Sequence, residues 1–313
     1  MKKSKLLSLT SLTIAGLYLH NKYISSKAKT LSPSSPYCEL YYKWKYGDIY
    51  YTKSGNGSPL LFIHDLTAGS SSFEWQYLIS EFEKNYTVYV LDLIGCGHSE
   101  KPCCKYTNFL FVQLISDFVS DIIKEKCTVI SSGASSSITL MTAHYKENIF
   151  DKIIMINPTS ITYEKQTVSK ENYYKNKFYS LPIIGTFYAN RQNKREDYEN
   201  LFYHSYFKNP YKTNTGYIDA YYSSYHNNES SKSLFSSIQN NYTHADITIS
   251  LKQLDNPVFI IGGESESNIL ETVNEYKEFY SKIEFQSITN SKHLPQLENP
   301  EELTDVIKNF LKK

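Results

Sequence analysis

The sequence predicts an α/β fold, a doubly wound and mostly parallel sheet with a helical cap inserted before its last strands. Three observations carry that expectation. Pro59–His64 (PLLFIH), Val88–Leu93, Lys152–Asn157 (KIIMIN) and Pro257–Ile261 are nearly continuous apolar runs, the pattern of strands buried on both faces. Amphipathic helical segments separate them. Between Thr159 and about Leu254 the runs stop, and polar, aromatic, helix-like pieces broken by Pro182, Gly185, Pro210 and Gly216 replace them.

Taken in order, residues 1–24 begin with Lys2, Lys3 and Lys5 and continue with an apolar run from Leu6 to Leu19. That is a signal-like pattern without a convincing cleavage site, so an N-terminal membrane anchor is expected, with a cleaved signal and a secreted chain as the alternative. Residues 25–40 read as a linker. Tyr41–Lys53 alternates around Gly47-Asp48 and predicts a hairpin. Ser71–Asn85 predicts a helix opened by a Ser71/Glu74 capping box, with Trp75, Leu78, Ile79 and Phe82 inward. Asn108–Lys126 is a second amphipathic helix, and Cys127–Ser137 (CTVISSGASSS) is a strand entering a turn of small residues. A helix over Asn268–Lys282, a strand over Ile283–Ile288 and a helix over Glu301–Leu311 close the chain, the last with Asn299 as cap and Pro300 in its first turn. The expected units are a core of 41–158 and 255–313 and a cap of 159–254, placed over the carboxyl ends of the strands where such sheets bind ligands.

The formal charge of +1 argues against a nucleic-acid partner. About half of the 29 tyrosines fall in the cap, either as an aromatic pocket lining or as a compositional bias shared with Lys, Asn, Ile and Ser. The five cysteines, Cys38, Cys96, Cys103, Cys104 and Cys127, have no metal-ligand spacing and no disulfide pattern. No cofactor or metal is expected, and oligomeric state is open.

PLLFIHDLTAGSSSFEWQYL, YTVYVLDLIGCGHSEKP, PVFIIGGESES and ITNSKHLPQLENPEEL resemble segments of the α/β-hydrolase superfamily, in its capped esterase, haloalkane dehalogenase and epoxide hydrolase-like branch. The resemblance runs from about Tyr41 to the C-terminus. It implies an α/β-hydrolase fold, a small-molecule ligand or ester substrate, and a nucleophile, acid and histidine in that order. His293 falls at the histidine position and Glu266 at the acid position, with Glu264 as the nearby alternative. Leu66 falls where a backbone N–H stabilises a developing oxyanion. Asp65 replaces the glycine expected before it, an unhelpful charge there unless its side chain turns away.

The nucleophile elbow, G-x-S-x-G in the family, has two registers here. Read without gaps to Asn157-Pro158, Ser131, Gly133 and Ser135 take the three motif positions, and the nucleophile position is Gly133, which has nothing to attack with. Slid by two residues, Ser135 becomes the nucleophile, and Ser136 supplies the second oxyanion N–H that Ala134 would supply in the first register. The first register is preferred, because helix length is hard to trim. It predicts a degenerate, ligand-binding hydrolase fold; the second predicts a serine hydrolase using Ser135, His293 and Glu266.

Overall fold

The computed structural model describes residues 2–313, with side chains from Leu12 onward. The chain runs α1 (Lys2–Lys29), β1 (Glu39–Trp44), β2 (Gly47–Ser54), β3 (Ser58–Ile63), α2 (Gln76–Phe82), β4 (Tyr86–Leu91), α3 (Asn108–Phe118), β5 (Cys127–Ser132), α4 (Ser135–Tyr145) and β6 (Phe150–Ile156). Then come α5 (Ile161–Glu164), α6 (Lys170–Tyr179), α7 (Ile184–Arg191), α8 (Arg195–Leu201), α9 (Thr215–His226), α10 (Lys232–Gln239) and α11 (Thr248–Lys252), with no strand among them. The sheet resumes with β7 (Val258–Gly263), α12 (Ile269–Phe279) and β8 (Glu284–Ile288), and α13 (Pro295–Glu298) and α14 (Pro300–Leu311) end the chain.

The eight strands are ordered β1-β2-β4-β3-β5-β6-β7-β8. The first three in that order pair antiparallel, and every other pair is parallel. β5, at the centre, is buried along its whole length, as its β-branched and small residues allow. One face of the sheet packs Phe62, Trp75, Leu78 and Phe82, together with Leu303 and Phe310 of α14. The other packs Phe111, Leu114, Ile115 and Phe118 of α3 with Ile138 and Leu140 of α4. Each such fully buried side chain contributes roughly 1.5–3 kcal/mol. The two layers thereby fix the ends of β3, β5, β6 and β7 beside one another.

Local departures from the expected elements have identifiable causes. The hairpin turns at Lys45-Tyr46, because Trp44 already pairs with Gly47. The helix predicted over Ser71–Asn85 opens as a tight turn, Ser72–Trp75, and the Ser71 side chain makes no capping bond. Its partner Glu74 is fully buried and is used elsewhere. The helix of Asn108–Lys126 widens at Val119–Ile123 and stops at Lys124, which is left-handed at φ 65.

The expected linker is shorter than 25–40, since α1 continues to Lys29. The Asn21 amide, buried at the surface of the cap, donates to the Ile183 carbonyl at 3.0 Å and accepts from the Asn190 side chain at 3.3 Å. Lys22 pairs with Glu229 at 2.8 Å. Leu12, Leu19 and Tyr23 remain exposed. Among the described residues no helix is long and apolar enough to cross a membrane. The lysines and the first part of the apolar run of the anchor reading (residues 1–11) lie outside the residues whose side chains are described.

Candidate active site

The site begins at the strand ends. β5 stops at Ser132, Gly133 turns with φ 55, and α4 starts at Ser135. A strand-to-helix turn this sharp demands the left-handed region at its tip, where glycine incurs no steric penalty. Gly133 has that conformation and stands at the tip of the turn between β5 and α4. Ser135 and Ser136, the nucleophile and oxyanion donor of the shifted register, have other partners here. Ser135 is fully buried and its hydroxyl donates to the His64 carbonyl at 2.6 Å, so it ties α4 to the β3 loop. The Ser136 N–H donates to the Gly133 carbonyl at 3.1 Å, as part of the turn, and is not free as an oxyanion donor.

The space in front of Gly133 is filled from another loop. A β-carbon at Gly133 would overlap the Asp65 carboxylate. The Asp65 side chain thus turns inward, to where an elbow residue's own side chain would project. Its Oδ1 accepts from the Ala134 N–H at 2.9 Å, and its Oδ2 lies 3.3 Å from His293 Nε2. The Ala134 N–H, the donor expected to serve an oxyanion, is thereby occupied by a carboxylate. The Leu66 N–H has no hydrogen-bond partner among the described residues.

Behind the imidazole, Glu266 Oε1 lies 3.6 Å from His293 Nδ1. Glu266 Oε2 is buried without a hydrogen bond among the described residues. Glu264 points away, accepting from the Asn290 N–H at 3.1 Å. Burial opposes the charged imidazole, but hydrogen bonding and attraction to Asp65 and Glu266 outweigh it and push His293 up to about 10. At neutral pH His293 is an imidazolium clamped between two carboxylates, and it cannot take a proton from a nucleophile.

Several supporting residues carried no signal at the sequence level. Glu74, read as a helix cap, accepts from the Asp65 N–H at 3.2 Å and from the Tyr221 hydroxyl at 2.8 Å. Burial and the nearby Asp65 charge push it up to about 7. Asn157, at the end of β6 with φ 44, donates to the carbonyls of Lys292 and His293, both at 2.8 Å, and holds the histidine loop. Tyr206 stacks on His293 at 5.2 Å. His64 is buried and held neutral by that burial; its Nε2 accepts from the Leu93 N–H at 3.0 Å, so it is a brace between loops.

Asp65, Gly133 and His293 open onto a cavity of about 410 Å³ under the cap, walled by Tyr163, Tyr198, Leu201, Phe235 and Ile238. Glu164, also on its wall, is pushed up to about 7 by burial. Among the described residues no group of three or more His, Cys, Asp or Glu side chains could hold a metal ion. What the arrangement offers is an apolar, aromatic chamber with a carboxylate–imidazolium–carboxylate row on its floor.

Residues 58–300 match the family profile described as alpha/beta hydrolase fold. The chain covers 31 to 37% of the length of the first curated relatives it matches. One of them, the soluble epoxide hydrolase of Corynebacterium sp., is 25% identical over 109 residues, 35% of this chain. Among solved structures, a serine hydrolase involved in carbazole degradation aligns with a TM-score of 0.72 at 17% identity, over 88% of this chain and 99% of its own. A membrane phospholipase A, described as a bacterial virulence factor, aligns with a TM-score of 0.70 at 18% identity, over 100% of this chain and 98% of its own.

Proposed function

The chain belongs to the α/β-hydrolase family, and from that premise we propose that it binds a small, largely apolar molecule under its cap and does not cleave esters through a serine. One observation carries this reading. The Asp65 carboxylate occupies the nucleophile's place and the Ala134 N–H, so the elbow presents no hydroxyl beside His293 and no free pair of oxyanion donors. Acyl transfer requires both. The aromatic and aliphatic wall suits an apolar ligand of modest size, since chambers of this kind bury most of a ligand's surface.

The same reading includes attachment to a membrane through residues 1–24. Its support is the exposed Leu12 and Leu19 on a helix whose other end is docked on the cap. The likeness to the membrane phospholipase A also extends over the whole chain, α1 included.

The test combines labelling with binding. Full-length protein treated with a fluorophosphonate probe is expected to carry no label on any serine, and to hydrolyse p-nitrophenyl butyrate at the uncatalysed rate. An environment-sensitive apolar dye is expected to bind with one-to-one stoichiometry, and Ile238→Trp, which fills the cavity, to abolish that binding. Labelling at Ser135, or dye binding indifferent to Ile238→Trp, would refute the reading.

A further inference from the structure

α6 has no buried residue, although it carries Tyr173, Tyr174, Phe178 and Tyr179. Tyr173, Tyr174, Phe178, Leu181, Ile184 and Tyr188 are all exposed, Tyr174 by 67%. Single apolar residues on a surface are ordinary, but these belong to two helices packed on one another, and the Phe178 and Tyr188 rings meet at 5.2 Å. They form a patch. The turn joining the helices is strained. Ile183 sits at φ 58 and ψ −59, a region that β-branched residues avoid, and the Ile184 N–H donates to the Pro182 carbonyl across it. Strain of this kind is held where a position is used, and here Leu181, Pro182 and Ile184 are all turned to solvent.

The patch is also basic. Residues 170–194 contain Lys170, Lys175, Lys177, Arg191 and Lys194, all exposed, and a single acid, Glu171, which pairs with Lys175 at 2.7 Å. The whole chain carries a net charge of only +1, so cations are concentrated on this lobe. A second copy of the face would be repelled by them, whereas an anionic phospholipid surface attracts them. Tyrosines with a polar tip and lysines with an apolar stem suit the headgroup boundary. α1 lies against the same lobe. His20 meets the Phe187 ring at 5.7 Å, and Asn21 donates to the carbonyl of the strained Ile183. Leu12, Ile14, Tyr18 and Leu19 of α1 are exposed.

We propose that α1, α6 and α7 present one surface to a bilayer containing anionic phospholipid, with the rings and aliphatic side chains at the headgroup boundary and the five cations over the phosphates. This rests on the attachment through residues 1–24 and extends it. The first helix brings the chain to the bilayer, and the cap face is a second contact that takes effect because the first already holds it there. The second contact fixes the orientation of the cap. Phe235 of α10 meets Tyr179 of α6 at 5.6 Å and also walls the cavity. The chamber is thereby held one helix layer from the lipid, the phase in which apolar molecules concentrate.

The full chain with two kinds of vesicle tests this, phosphatidylcholine alone and phosphatidylcholine with phosphatidylglycerol at two to one. Tyr174→Trp supplies a reporter, since the native Trp44 and Trp75 are buried. Its emission is expected to shift to the blue on the anionic vesicles and to be quenched by phospholipid brominated on its acyl chains. Tyr145→Trp, at the end of α4 remote from Gly133, is expected to show neither effect. Lys170→Glu, Lys177→Glu and Arg191→Glu together should weaken binding to the anionic vesicles by at least about tenfold and leave the melting curve unchanged. A silent Tyr174→Trp reporter on vesicles that the chain binds, or charge reversals without effect on that binding, would overturn the proposal and leave attachment through α1 standing. A full chain that binds neither vesicle overturns both. Wild type that sediments as a dimer without lipid, and as a monomer once Tyr174→Lys is introduced, would give the face to a second copy and overturn the proposal too.

Discussion

Restoring the missing hydroxyl with Gly133→Ser is expected to damage the protein before it creates any activity. Gly133 has φ 55, a conformation that costs a residue with a side chain about 1–2 kcal/mol. The new β-carbon would also overlap Asp65 Oδ1. A side chain can rotate away, so the steric term itself is relieved. Rotation, however, breaks the charge-assisted bond from the Ala134 N–H and the pairing with His293, both partly buried and each worth about 1.5–3 kcal/mol. Strain plus one such loss gives about 3–5 kcal/mol, or a melting point lower by about 5–8 °C for a chain of this size. Thermal and urea unfolding of Gly133→Ser, Asp65→Gly and the double variant measure it. Asp65→Gly should relieve the overlap, so the double variant should be less destabilised than the two single effects summed, by at least 1 kcal/mol. It alone should react with a fluorophosphonate, at residue 133. Strict additivity, or Gly133→Ser as stable as wild type, would refute the claim that the two positions share one space.

Other expectations follow from the same contacts. Ser135→Ala should lower stability by about 1–3 kcal/mol in urea unfolding, because it orphans the buried His64 carbonyl, and should leave dye binding unchanged. The charged form of His293 is favoured by folding, with its value raised from about 6.5 to about 10. Its contribution is therefore complete below about pH 6.5 and is lost as pH rises through about 10, so melting points should fall across that window and His293→Gln should flatten the fall. Asn21→Leu should expose the junction after Lys29 to trypsin, since it removes both hydrogen bonds that fasten α1 to the cap. A chain beginning at Pro33 should fold and should fail to sediment with phospholipid vesicles, whereas the full chain should sediment.

The layers were legible because burial on both faces leaves a near-continuous apolar run, and because Leu303, Val306, Ile307 and Phe310 repeat with a helix's period. The family's histidine loop was legible from its own flanking residues. Glu74 was not. Its spacing from Ser71 satisfies a local rule, and only the approach of the β3 loop and of Tyr221 from α9 gives it a different set of partners. Asn157 and Tyr206 belong to the same class, since their contacts with the His293 loop join segments far apart in sequence. The widening at Val119–Ile123 is a change of hydrogen-bond period that composition does not announce.

Asp65 and Gly133 show a different limit. Read along the chain they are two separate defects, a charge where a glycine is expected and a glycine where a nucleophile is expected. In space they are complementary. The carboxylate fits only because residue 133 has no side chain, and the Ala134 N–H left facing an empty elbow acquires an anion to bind. Retention of His293 and Glu266 then has a physical reason independent of any serine. An imidazolium between Asp65 and Glu266 holds together two carboxylates that would otherwise repel across the floor of a low-dielectric cavity. Removing Asp65 alone should therefore release His293 toward ordinary imidazole behaviour. Titration of His293 by NMR in Asp65→Asn, expected well below its value in wild type, isolates that coupling; an unchanged titration would mean that Glu266 alone holds the charge and that the occupied elbow is incidental to it.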